Sequence, residues 1–115
     1  MVFPFSGARA FLPIDECIDE RLRLLFPGYE CQTARFAKLA GLKNGRLLDA
    51  AEVAGFDVLI TADQNIPDRQ NLAGRRISLV IVCGATNRLR DLERLIPRAI
   101  SALGSIGPGT VVRIP

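Results

Sequence analysis

Asp57-Val58-Leu59-Ile60-Thr61 and, further on, Ile77-Ser78-Leu79-Val80-Ile81-Val82-Cys83 are apolar at consecutive positions rather than at alternate ones. A strand with one wet face alternates, so an unbroken apolar run of this length marks a strand covered on both faces, as in parallel sheets. Both runs are therefore expected as the middle of a parallel sheet. Outward from them, Phe11 to Ile14 and Tyr29 to Thr33 read as strands, and Val111 to Ile114 follows the Gly107-Pro108-Gly109 turn as a last one. Helical spacing fills the intervals. Ile18, Leu22, Leu25 and Phe26 run up to the stop signal Pro27-Gly28, and Ala34 to Ala40 gives a short helical turn. Asn44 caps a helix through Leu47, Leu48, Ala51 and Ala54 that closes at Gly55. Pro67 opens a short helix to Leu72, and Leu89, Leu92, Leu95, Ile96, Ala99, Ile100 and Leu103 form a 3.6-residue stripe that Pro97 must kink or restart. Strands alternating with helices predict an α/β fold, a three-layer α/β/α sandwich around a mostly parallel five-stranded sheet.

Composition bounds the function. The 115 residues, 49% hydrophobic and 23% charged, suit one domain, expected at residues 9–115 behind a loose leader at 1–8. No histidine is present, which excludes Ser-His-Asp and Cys-His nucleophiles and any His-containing zinc site. Cys17, Cys31 and Cys83 lie far apart without a C-x-x-C pair, so they read as buried free thiols. With no basic region before a long apolar stretch at the start, a cytoplasmic address and no membrane are expected. Charge is uneven: residues 1–60 carry seven Lys/Arg against eight Asp/Glu, and residues 61–115 carry eight Arg against four acids. The second half suits an anion-facing surface, or an ordinary arginine-rich one.

In parallel α/β sheets sites gather at the carboxyl ends of the strands. Two acidic exits stand there, Asp15-Glu16 after the first strand and Thr61-Ala62-Asp63-Gln64-Asn65 after the third. Carboxylates at neighbouring exits converge if the strands pair, and oxygen ligands without His or Cys select a hard ion, Mg²⁺ or Mn²⁺. Such an ion polarises a phosphoryl oxygen and activates water. Alternatively, Asp15 and Asp63 simply cap the helices they precede.

The succession Ile14-Asp15-Glu16, then L-K-N-G-R-L-L at 42–48, then D-V-L-I-T-A-D-Q-N at 57–65 resembles the compact PIN-like family of short prokaryotic proteins. The resemblance runs from about Phe11 to Val82 and extends to the leucine stripe and final strand. It implies a PIN-type sandwich, an acid cluster binding Mg²⁺ or Mn²⁺, and an endoribonuclease that serves as the toxin of a toxin–antitoxin pair. Asp15 matches the first family acid and Asp63 the third, and these two are the implied catalytic residues and metal ligands. Asn44 and Asn65 fall on the other two acidic positions. An amide oxygen coordinates a hard ion without lending charge, so binding is expected to be weak.

Glu16 is an auxiliary metal ligand or a first-turn helix acid. Thr61 orients Asp63 or simply suits a strand end. Asp49, one turn or more from the site, reads as solvated. Lys43, Arg46, Arg69, Arg88 and Arg90 lie near strand exits and are the expected phosphate contacts, whereas Arg75 and Arg76 precede their strand and belong on the opposite rim. Expected partners are RNA and a small antitoxin protein, with a homodimer left open. The alternative is a catalytically weakened PIN-like domain that binds protein or nucleic acid through the same cleft, a reading the two amides favour.

Overall fold

In a computed structural model, which describes residues 11–14, 20–26, 29–33, 38–39, 41–42, 44–62, 72, 74–84, 86 and 88–115, the strands are β1 (Phe11–Ile14), β2 (Glu30–Thr33), β3 (Val58–Thr61), β4 (Ser78–Val82) and β5 (Val111–Ile114). They form one parallel sheet in the order β2-β1-β3-β4-β5. Every residue of β3 and β4 is buried, as their unbroken apolar runs require.

Alternation along these two strands divides the core. Val58, Ile60, Val80 and Val82 point to one face, where they pack with Leu22, Leu92, Ile96, Ala99 and Leu103. Leu59, Leu79 and Ile81 point to the other and meet Leu47, Leu48 and Ala51. The parallel α/β arrangement expected from the sequence is thus present, with helices on both faces. Ile60 is fully buried between β1 and β4. Ile60→Ala is expected to lower the unfolding free energy by about 3 kcal/mol, from lost transfer energy and the cavity left behind. Urea denaturation measures it, and a loss below about 1 kcal/mol would contradict a two-faced strand.

The covering helices are α1 (Asn44–Val53), α2 (Leu89–Glu93) and α3 (Ile96–Leu103), with a 3-10 helix at Glu20–Leu25. Helix α1 ends where Gly55 adopts a φ of +92° and the Phe56 N–H reaches back to the Ala51 carbonyl at 3.0 Å. That is a glycine-terminated helix end, satisfying a carbonyl the helix cannot. Pro97 restarts the leucine stripe: α2 stops at Glu93, and the proline sits in the first turn of α3, where its missing N–H costs no bond. The described part of the expected helix from Ile18 is 3-10 instead of α. Residues three apart eclipse in that geometry, which stacks buried Leu22 over half-buried Leu25 while Leu24 faces solvent. The helical turns expected at Ala34–Ala40 and Pro67–Leu72, and the leader at 1–8, lie wholly or largely outside the described residues.

Two connections cross the α2–α3 face: the 3-10 helix between β1 and β2, and α2–α3 between β4 and β5. The first steps toward the β2 edge and the second toward the β5 edge, so they have opposite hands. Helix α1 crosses the other face in the reverse direction and shares the hand of the first. Nearly all parallel crossovers have one hand, so β4–β5 is the exception.

Turn and strand are tied where β5 begins. The Ser78 hydroxyl, buried, donates to the Gly107 carbonyl at 2.6 Å and accepts the Thr110 N–H at 2.9 Å. Gly109, at φ +66°, lies so close to the preceding loop that a Cβ there would sit 2.9 Å from the carbonyl oxygens of both Arg75 and Leu72.

Candidate functional site

The winding of the sheet reverses between β1 and β3. One connection leaves β1 over the α2–α3 face toward β2, and the next returns over the α1 face to β3. Where winding reverses, the flanking connections diverge to opposite faces and open a crevice at the carboxyl ends of the two strands. Ile14 pairs with Ile60, so both strands run out at the same edge. Asp15 follows Ile14 directly in the sequence, and Asp63 stands two residues beyond Thr61.

Thr61 closes β3 in register with Ile81 and is fully buried. No buried side-chain nitrogen or oxygen among the described residues lacks a hydrogen-bond partner, so its hydroxyl is held inside the fold. Asn44 is the first residue of α1. That helix runs from the β2 exit back to the start of β3, which sets its N-terminal turn at the same edge, with Arg46 exposed on it. Beyond β4, Gly84 makes room for α2: a Cβ there would meet Leu92 Cδ2 at 2.9 Å and the Thr86 carbonyl at 3.0 Å. The Thr86 hydroxyl bonds the Asp91 carboxylate and accepts the Arg88 N–H at 3.1 Å. This fixes the turn that leads through exposed Arg88 into α2, on which exposed Arg90 stands.

Asp15, Glu16, Lys43, Asp63, Asn65 and Arg69 lie outside the described residues. Among the described residues, no three of Asp, Glu, Cys or His gather into a metal-binding group. The donors that a hard divalent ion would need there are the carboxylates of Asp15, Glu16 and Asp63 and the amide of Asn65, all oxygen ligands.

No family model, curated protein or solved structure matches this chain.

The opposite rim is built for structure. Arg75 stands before β4, as expected, and its guanidinium contacts Asp49 at 2.7 Å and Glu52 at 2.6 Å, both on α1. Glu52 also accepts the Arg76 N–H at 3.0 Å. Asp49 is thus an ion-pair partner and not simply solvated, although its side chain is 67% exposed. The hydrogen bond to Asp49, followed by that to Glu52 and their charges, outweighs burial and raises the Arg75 pKa above its ordinary value. Sequence spacing hid this pairing because the partners are more than twenty residues apart in the chain. Cys31 and Cys83 are thiols in no disulfide among the described residues, half-buried and so less enclosed than expected, and Cys17 lies outside the described residues.

Burial raises the Asp57 carboxyl above the ordinary carboxylate range, against a lowering by the Arg76 charge 4.0 Å away. The folded protein therefore holds this proton more tightly than the unfolded chain. Stability from it is present below the unfolded value and is lost as pH rises through the folded one. Asp57→Asn is expected to raise the urea midpoint more at pH 7 than at pH 3.5, and an equal gain at both would reject the sign.

Proposed function

We infer that the crevice between β1 and β3 is the site of a metal-dependent ribonuclease of PIN type, acting in the cytoplasm as the toxin of a toxin–antitoxin pair. The supporting observation is the pairing of Ile14 with Ile60 at a point where the winding reverses, because Asp15 follows Ile14 in the sequence and Asp63 stands two residues beyond Thr61. Asp15 and Asp63 are the charged ligands, with Asn44, Asn65 and Glu16 completing the oxygen set. A bound Mg²⁺ or Mn²⁺ supplies Lewis acidity toward a phosphoryl oxygen and a water of lowered pKa. Thr61, immobilised at the end of β3, orients Asp63. Lys43, Arg46, Arg69, Arg88 and Arg90 hold the RNA backbone, with Arg46, Arg88 and Arg90 exposed for that purpose.

The second reading, a weakened PIN-like domain that binds a protein or nucleic acid without turnover, draws on Asn44. It stands with Asn65 where a charged ligand would be expected, and an amide oxygen lends a metal no formal charge and cannot act as a general base.

Calorimetric titration with Mn²⁺ tests the site. Binding in the wild type is expected to be weak, on the order of millimolar for Mg²⁺ and tighter for Mn²⁺, because charge is missing at two positions. Asn44→Asp and Asn65→Asp should each tighten Mn²⁺ binding, and Mn²⁺ should raise the melting temperature of all three proteins. Unchanged affinity in both variants would remove these residues from the site, and no thermal shift in the wild type would favour the second reading.

A further inference from the structure

The open side of β5 joins three features in one strip. β5 is the last strand of the sheet, and among the described residues it pairs only with β4. The Thr110 and Ile114 carbonyls accept the Leu79 and Cys83 N–H groups at 2.8 Å. By strand alternation, the N–H and C=O of Val111 and Arg113 therefore point away from β4. Beside this edge, on the α3 face, runs a groove of about 610 Å³ lined by Ala102, Ile106, Pro108, Thr110 and Val112.

Cations flank it. Arg98 donates to the Pro115 backbone oxygen at 2.9 Å, which lays its guanidinium along the strand. Arg113 lies on β5 itself, on the face opposite the groove that Val112 lines. Both are exposed, and among the described residues neither is paired with an Asp or Glu side chain.

We propose that β5 is a docking edge for an extended acidic segment of a partner protein. The segment adds a strand beside β5, exchanges backbone hydrogen bonds with Val111 and Arg113, seats an apolar side chain in the groove and sets carboxylates against Arg98 and Arg113. Strand addition of this kind takes affinity from main-chain bonds and specificity from alternate side chains. Charge selects the occupant. A second copy docked β5 to β5 would bring Arg98 and Arg113 of both chains together without neutralising them. RNA phosphates would satisfy the arginines, but as acceptors they cannot meet the outward carbonyls, and they leave the groove unfilled. The proposal is independent of the nuclease reading.

Two capped octapeptides test it, one with a central valine among glutamates, so that charge lies on both faces of the added strand, and the other with a central valine among lysines, titrated into the full chain by fluorescence anisotropy. The glutamate peptide is expected to bind at least about tenfold tighter, and Arg98→Glu combined with Arg113→Glu to reverse the order. Hydrogen exchange on the wild type gives a readout that needs no variant: the Val111 and Arg113 amides should slow when the glutamate peptide binds. Equal affinity for the two peptides, or protection elsewhere, would overturn the proposal. So would slowing of these amides by an RNA octamer but not by the peptide, or by self-association without any peptide.

Discussion

Asp63→Asn is expected to abolish Mn²⁺-dependent RNA cleavage, a loss of about 10²–10³-fold or more, comparable with removing a preorganised electrostatic group from a transition state. Only Asp15 and Asp63 carry charge at the positions matched to the ligand set, so losing one leaves a single carboxylate to hold the ion. Without metal the same change should act in the opposite sense. Two carboxylates at adjoining strand exits repel, and neutralising one relieves that repulsion, which raises the urea midpoint slightly. The pair of results is diagnostic because general damage to the fold would lower both activity and stability. Cleavage that survives in the variant would assign the activity elsewhere. A variant less stable without metal would make Asp63 a helix cap.

Gly109→Ala carries the largest expected stability loss, about 3 kcal/mol or more. One part, roughly 1–2 kcal/mol, comes from placing an L side chain at φ +66°. The rest comes from the clash of the new Cβ with the carbonyls of Arg75 and Leu72, backbone atoms that cannot rotate away as a side chain would. Relief requires the turn to lift from the loop, which strains the Ser78 bonds to Gly107 and Thr110. Gly41→Ala is the control, since Gly41 also has positive φ, at +84°, but open space around its would-be Cβ. It should cost only the conformational part, and equal losses in chemical denaturation would show that the close approach at Gly109 is immaterial.

Much of the fold was legible because its main signal is local. Consecutive burial of Val58, Leu59 and Ile60 and of Leu79, Val80 and Ile81 is written as consecutive apolar letters, and Pro97 announces its own helix start. What spacing could not carry was long-range or marginal. The choice between 3-10 and α geometry at Glu20–Leu25 rests on which leucines find a neighbour. The pairing of Arg75 with Asp49 and Glu52 depends on how α1 lies over the sheet. For the proposed site, sequence order supplied the two acidic positions, and the adjacency of β1 and β3 supports reading them together. Arg90 on α2 was read as a phosphate contact, whereas Arg98 on α3 was visible only as part of a charge bias, because the leucine stripe drew attention to the inner side of that helix.

The exceptional hand of the β4–β5 connection bears on how the chain matures on the ribosome. Helix α1 precedes β3 and β4, so the α1 face of the sheet can be covered as soon as those strands emerge. The other face cannot: Val58, Ile60, Val80 and Val82 await α2 and α3, which are made after every strand they cover except β5. At a synthesis rate of about 5–20 residues per second, the roughly 20 residues from Val82 to Leu103 take about 1–4 s to appear. For that interval a nascent chain carries one finished layer and one aliphatic surface covered only in part, by Leu22 and Phe26, an arrangement that invites chaperone capture and makes truncation anywhere before Leu103 far more damaging than the loss of a terminal strand alone.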